Sequence, residues 1–389
     1  MGFLSGPITF DSFRIGGPQV RAFGPEHVEI LERLAIGQTE TSSPEQARVG
    51  FLAGGHLFDS DFGLEKNVIG DALHFAVRID RNQIPAAIRR AWLQMELAVF
   101  TAEAPSGRPT KTQRLEAKEA VEARCEEEAR SGRFRRMQQF PVLWDARNSV
   151  LLIGGSSPTI CELGCELCTR AFDLELTRLT ASQRVREWAA ETKQRKALDE
   201  VVPAVFHAND GSAEIAWWDQ ESGNVDFLGN EFLLWLWWRW ETQSDTLTLP
   251  DDSEVTGLLA RTLSLECPRS ESGKETITAE APSRLPEAAQ AIRSGKLPRR
   301  SGLILVRHGE QYELVLQAEK FAVSGAKIQA EETAEGRGIL EDRIESVRGL
   351  QETVDLLYRA FCSQRVGKSW KGELEQMRRW LKPAAPTRR

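Results

Sequence analysis

Three cysteines stand at a spacing that metal chemistry can use. Cys161, Cys165 and Cys168 form CxxxCxxC, and three thiolates so spaced on a loop can converge on one face of a 4Fe–4S cluster. A second candidate is His308 in LILVRHGE, residues 303–310. There an apolar run delivers an imidazole to a turn, as nucleophilic phosphoryl chemistry requires. Such a histidine also needs a cationic clamp and a proton donor, yet His27, His56, His74 and His207 all lie upstream. The cysteines fall at i, i+4 and i+7, one face of a helix, and buried free cysteines behave as small hydrophobes. No GxxxxGK(S/T) phosphate loop occurs, and Gly154-Gly155-Ser156 is too short for a dinucleotide fingerprint.

Both motifs resemble known families only in part. Residues 303–310 are similar to the opening motif of the histidine phosphatases, which supply a second histidine far downstream; none follows His308 here. The cysteine spacing is that of the radical S-adenosylmethionine enzymes, which carry an aromatic residue before the last cysteine, where Leu167 stands. An apolar strand, a polar turn with Gly309 and a returning strand account for the first. A helix face accounts for the second. The expectation is a protein without catalysis, cofactor or metal.

Basic residues are the remaining candidates. The chain has 389 residues, 50 basic against 57 acidic, for a formal charge of -7. A site for a polyanion must therefore be a local patch on an acidic body. Three clusters qualify. Arg78, Arg81, Arg89 and Arg90 are opposed by Asp80 alone; Arg130, Arg133, Arg135 and Arg136 flank Ser131-Gly132; Arg293, Lys296, Arg299 and Arg300 have no acidic residue among them. Brought to one surface, they would hold phosphates without reading bases. Taken singly, each is also an ordinary solvated surface. Residues 365–389 add eight basic residues to two acidic ones, on a segment that either touches DNA or caps the fold.

The elements that must position these residues are legible from periodicity. ITFDSFRI (8–15) and ALHFAVRI (72–79) read as strands. Helix is expected from Pro25 to Ala35, at a start over Thr41–Gln46, from Pro85 to about Ala129 with a break near Pro105–Pro109, from Ser157-Pro158 to Phe172, and over 181–200. Hairpins are expected at 141–154 and around His308-Gly309-Glu310. Short strands are expected at 213–218 and 224–228, then a Trp-rich helix from Asn230 to Glu241, a polar loop over 242–252, a strand at 262–267, a helix at 285–294 and a helical end. FLLWLWWRW (232–240) is too short to span a bilayer; its tryptophans fit a core, or else a partner surface. The start of the chain does not read as a secretory signal, and six cysteines fit a reducing compartment. Hairpins between helices of unequal length predict an α+β fold. Its expected parts are 1–160, with the basic strand–helix region; 161–335, with the Trp-rich helix and second hairpin; and 336–389, a helical extension with a basic tail.

Several stretches together resemble the bacterial RdgC family: GFLAGG (50–55) with ALHFAVRIDRNQIPAAIRRA (72–91), RFRRMQQFPVLWDARNSVLLIGGSS (133–157), FLLWLWW (232–238), RTLSLEC (261–267) and SGKLPRRSGLILVRHGEQYELVLQ (294–317). The resemblance covers about 1–330. It implies a horseshoe-shaped monomer closing into a ring-shaped homodimer, a basic hole that passes duplex DNA, sequence-independent binding of single and double strands, and functional competition with the RecA recombinase. It also implies a place on the nucleoid in the cytoplasm, and neither membrane nor catalysis. Lys296 falls on the family's Gly-Lys lysine at the hole, and Arg78, Arg81, Arg89 and Arg90 on its basic strand–helix region. The DNA-binding set so implied is those five with Arg133, Arg135, Arg136, Arg299 and Arg300. The family's Lys-Gln element is replaced near Glu280-Ala281, and the chain beyond about 335 is extra. The competing expectation is a protein-interaction or structural protein.

Overall fold

The computed structural model describes residues 2–17, 19–38, 47–104, 107–155, 157–206, 215, 217–218, 221–268, 273–328 and 336–382. The expected helix start at Thr41–Gln46 and half of the expected strand at 213–218 lie outside these residues.

The organising element is β1 (Ile8–Gly16), at the middle of a mixed fold whose strands are all paired antiparallel. On one side follow β6 (Val150–Gly154), β5 (Arg135–Asp145), β4 (Ala72–Asn82) and the edge strand β2 (Arg48–Leu52). On the other follow β13 (Val323–Ile328), β12 (Glu310–Gln317), β11 (Leu297–Arg307), β9 (Glu254–Glu266) and the edge strand β10 (Glu275–Ala279). Three short strands pair outside this order: β3 (Val68–Ile69) with β4, β7 (Glu175–Arg178) with β1, and β8 (Thr246–Thr248) with β9. The α+β expectation with antiparallel hairpins therefore holds.

The two halves of the sheet are covered on opposite faces. In the first half, Leu73, Phe75, Val77 and Ile79 of β4 share a core with Val142, Trp144, Leu151 and Ile153, under α1 (Pro25–Arg33) and α5 (Pro158–Phe172). In the second half, Leu259, Leu263, Leu303, Leu305, Leu314 and Leu316 pack under α6 (Ala181–Glu191), α8 (Phe227–Thr242), α9 (Pro286–Arg293), α10 (Arg337–Val366) and α11 (Trp370–Leu381). Ile8 and Phe10 of β1 belong to this second core and Phe13 to the first, as period-two alternation requires.

Local chemistry sets the boundaries. Pro158 and Pro286 occupy first-turn positions of α5 and α9, where a missing N–H costs nothing. The pair α3 (Ala86–Glu103) and α4 (Lys111–Ser131) connects β4 to β5. Thr110 and Gln113 cap α4 reciprocally, and Gly132 ends it with φ 72°, both standard devices. His308 and Gly309 have φ of 52° and 84°, the two left-handed residues of a tight hairpin turn. The sequence-read role of His308 as a turn residue agrees with this.

α8 is apolar all round because it is buried all round: Trp235, Trp237 and Trp238 are each almost fully covered. Gly229 lets it approach the sheet, since a Cβ there would lie 1.9 Å from the Ala318 carbonyl oxygen. The expected strand at 224–228 is corrected by this helix, whose first residues are Phe227 and Leu228. The strand at 262–267 is the end of the longer β9, and the loop at 242–252 contains β8.

α10 is built into the core rather than appended to it. Arg343 donates to the carbonyls of Phe3, Gly6 and Ile328, and Arg348 binds Asp71 and Asp145 at 2.5 and 2.6 Å. The short link α7 (Arg195–Asp199) and the four-residue α2 (Leu64–Asn67) complete the helices among the described residues, with a 3-10 turn at Pro282–Arg284. The expected junction at 160/161 falls inside α5.

Candidate nucleic-acid interface

β4 and β5 outrun their neighbours. β6 pairs with β5 only over Val142–Asp145, and β2 with β4 only over Ala76–Asp80. Beyond those limits the two long strands continue as a two-stranded ribbon, with Arg81 opposite Arg136 and Asn82 opposite Arg135. Two of the three basic clusters therefore converge at one place. Arg81 and Arg136 are cross-strand neighbours on the face that carries Val77 and Ile79 further down. Arg135 points to the other face.

Like charges directly opposite one another destabilise a sheet. Carboxylates do not relieve this pair: among the described residues neither Arg81 nor Arg136 has an ion-pair partner, and the same is true of Arg90 and Arg135. Arg90, Arg135 and Arg136 are exposed and Arg81 is partly so. Arg89 at the start of α3 pairs with Glu122 of α4, and Arg133 lies 3.6 Å from Glu128. Both remain more than half exposed, so these pairs are weak and screened. The end of the ribbon and the base of the α3–α4 pair together carry an excess of unpaired positive charge.

Arg78 is different. Its Nε and Nη2 donate to both oxygens of Asp80 at 2.7 and 2.8 Å, and the pair is buried. Four of its five N–H donors are taken up within the chain, so it serves chiefly as a support for the ribbon.

The third cluster lies elsewhere. From β11 to β5 the sheet crosses five strand pairings, on the order of 24 Å. Lys296 was expected on the surface; it is 6 % exposed, and its Nζ meets Glu275 Oε1 at 2.5 Å. The reason is local: Leu297 pairs with Glu266 of β9, and the lysine just before it is drawn under the neighbouring edge strand β10. Arg299 lies 2.7 Å from Glu319 as an ion pair and donates to Glu266 at 3.3 Å, with its guanidinium 4.2 Å from the centre of the Trp217 ring. Arg300 and Arg293 are exposed and carry no partner among the described residues. So the three clusters do not form one patch, and the third is half neutralised.

A further group of arginines is matched by carboxylates. A cleft of about 400 Å³ is lined by Arg14, Arg147, Arg184 and Arg348. Each is ion-paired, to Glu187, to Asp71 and Glu345, to Asp355, and to Asp145 with Asp71 respectively.

Cys161, Cys165 and Cys168 sit on α5, with Cys161 and Cys168 fully buried. Burial pushes all three thiols up, Cys165 to about 12, away from the thiolate that nucleophilic attack requires. Among the described residues no group of three or more His, Cys, Asp or Glu side chains is placed to hold a metal ion. No helix among them is long and apolar enough to cross a membrane.

Sequence reasoning missed the cross-strand opposition of Arg81 and Arg136. The signal was present in the strand register, which the hairpin at 141–154 fixes once β4 is paired to β5, but the 52 residues between Asn82 and Arg135 hide it. Neither a protein-family model nor a curated protein matches this chain.

Proposed function

We propose that the chain binds DNA through its phosphates, without reading base sequence, as a protein of the RdgC type. The observation that carries this reading is Arg81 facing Arg136 across the ribbon with no ion-pair partner for either among the described residues. A fold bears such an arrangement at a cost in stability, and a polyanion removes that cost by entering between the charges. Arg89, Arg90 and Arg133 extend this end of the molecule, Arg135 lies on the opposite face of the ribbon, and Arg300 and Arg293 supply a second contact point further along the sheet. Lys296 and Arg78 take supporting roles in this reading.

The resemblance of the sequence to RdgC supplies the rest: a horseshoe monomer, a ring-shaped homodimer around duplex DNA, a place on the nucleoid, and modulation of RecA by competition for DNA. Met95, Val99 and Leu115 on α3 and α4 are each more than half exposed, and an apolar stripe of this kind supports self-association. Sedimentation over a wide concentration range tests the dimer; a persistent monomer at micromolar concentration opposes it.

DNA binding is tested by fluorescence anisotropy over a salt series. Affinity should fall steeply with salt, and scrambled duplexes of equal length should bind alike. The double change Arg81→Ser with Arg136→Ser should weaken every duplex by a similar factor and reduce the salt slope by about two. Salt-independent binding, or an unchanged slope in the folded double variant, rejects the reading.

A further inference from the structure

Phe58 is, among the described residues, the one aromatic side chain that is mostly exposed, at 66 %. It does not sit on a loose tip. The neighbouring Asp59 is 5 % exposed, and its carboxylate accepts from the Gly55 N–H at 2.7 Å, the Asp61 N–H at 3.3 Å and the Lys66 ammonium at 2.6 Å. The Phe58 N–H itself donates to His56 Nδ1 at 3.2 Å. The loop is therefore tied down while the ring is held out in water, where an apolar group is least favoured.

The ring is backed on one side. The Arg78 guanidinium lies 5.3 Å from its centre, and that guanidinium is itself fixed by Asp80, by the Leu57 carbonyl at 3.2 Å and by the Met137 sulfur at 2.9 Å. With Arg78 held behind it by four hydrogen bonds, the ring is a backed platform whose remaining surface meets no other ring or cation among the described residues.

The platform stands at the root of the basic ribbon. Arg78 pairs with Gln139, Asp80 with Met137 and Asn82 with Arg135. By period-two alternation these three rows share one face, so unpaired Arg135 lies about 13 Å further along the face that Phe58 covers. Asp61, the exposed carboxylate of the same loop, is faced by Lys66 at 4.0 Å.

We propose that this face binds an unpaired nucleic-acid strand, with one base stacked on Phe58 and a phosphate held by Arg135. The inference rests on the DNA-binding reading above and adds a preference that the arginines alone do not give. Every base has a π-face, so stacking on an aromatic platform is tolerant of sequence. A base inside a duplex is already stacked and cannot use the platform. The exposed aliphatic side chains of α3 and α4 have no such preference for strandedness.

The test uses the full chain, a labelled oligothymidylate and a blunt duplex of the same length, at one salt concentration. Phe58→Ala should weaken single-strand binding by about fivefold or more and leave duplex binding within about twofold. Phe58→Trp should restore single-strand binding. Unchanged single-strand affinity in Phe58→Ala, or an equal loss on both substrates, overturns the inference while leaving DNA binding in place. Wild-type protein that binds neither substrate overturns the DNA-binding reading and this inference together.

Discussion

In the first half of the sheet the two long strands β4 and β5, joined by α3 and α4, bring Arg81 against Arg136 with no ion-pair partner for either among the described residues. In the second half β9 and β11 are the corresponding pair, joined through β10 and α9. There Lys296 meets Glu275, Arg299 meets Glu266 and Glu319, and Arg307 meets Asp251 and Glu352 at 2.6 and 2.8 Å. Both halves are rich in cations, and sequence density alone ranks them equally. The difference is in what each cation is given to hold. Charges matched by carboxylates in partly buried settings fix local geometry. Charges set against one another leave their attraction for something outside the chain.

This comparison is broken most forcefully in the second half. Glu231 of α8 and Arg365 of α10 are 1 % and 7 % exposed and meet at 2.5 Å. The other Glu231 oxygen accepts the Ala204 N–H at 2.7 Å. Removing one partner of such a pair leaves a buried charge uncompensated, so Glu231→Ala should cost about 3–5 kcal/mol in urea denaturation. A cost below about 1 kcal/mol would mean that the ion pairs of this half are incidental to its stability.

Acid should separate the halves. His74 of β4 is 5 % exposed, and burial pushes its pKa down to about 4. The folded protein keeps this imidazole neutral while the unfolded chain protonates it near the ordinary value of about 6.5. Between those values the unfolded state binds more protons, so stability is full above about pH 6.5 and falls by on the order of 3 kcal/mol as pH drops to about 4. Relative to the intrinsic exchange rate at each pH, amide exchange in β4 should accelerate over this window before that in β11, which is followed by the exposed turn residue His308. His74→Leu should flatten the pH dependence. Equal acceleration in both strands, undiminished in the variant, would remove His74 as the cause.

Much of the fold was open to reading because it rests on local signals. The hairpin at His308-Gly309, the capped α4, the proline-led α5 and the Trp-rich α8 each follow from residues close together in the chain. The strands that escaped are short or mixed in polarity. RVGFL, ELTR, ETITA and VSGAKI are specified by the long strands they pair with rather than by their own alternation. The strand expected at 224–228 failed because NVDFL carries a β-branched and an aromatic residue that serve equally at the start of a buried helix. The site divided in the same way. Clusters were visible as runs of Arg and Lys, but partners such as Glu275 and Glu319 are distant in sequence, and so Lys296 and Arg299 looked free. Phe58 gave no signal at all, because a single phenylalanine in a loop reads as core until its exposure is known.

The smallest expected effects come from reversing one charge in each half, and their signs should differ. Lys296→Glu removes a buried ammonium and sets two carboxylates, 296 and 275, where one ion pair stood. Loss of a charged hydrogen bond in that setting should cost about 2 kcal/mol. Arg136→Glu does the opposite: it replaces an opposed pair of cations with Arg81 facing a carboxylate across the ribbon. Cross-strand pairs of opposite charge are favourable by up to about 1 kcal/mol, so this variant should be as stable as the wild type or slightly more so. Yet it should bind duplex DNA more weakly, with a flatter salt slope, because the new carboxylate occupies the place proposed for a phosphate. Urea denaturation and anisotropy on the same preparations read both quantities. A chain stabilised by Arg136→Glu and impaired in DNA binding has its function and its folding in competition at that position. If Arg136→Glu instead destabilises the fold as much as Lys296→Glu does, Arg136 is a structural cation, and the distinction between the two halves fails where it is drawn most sharply.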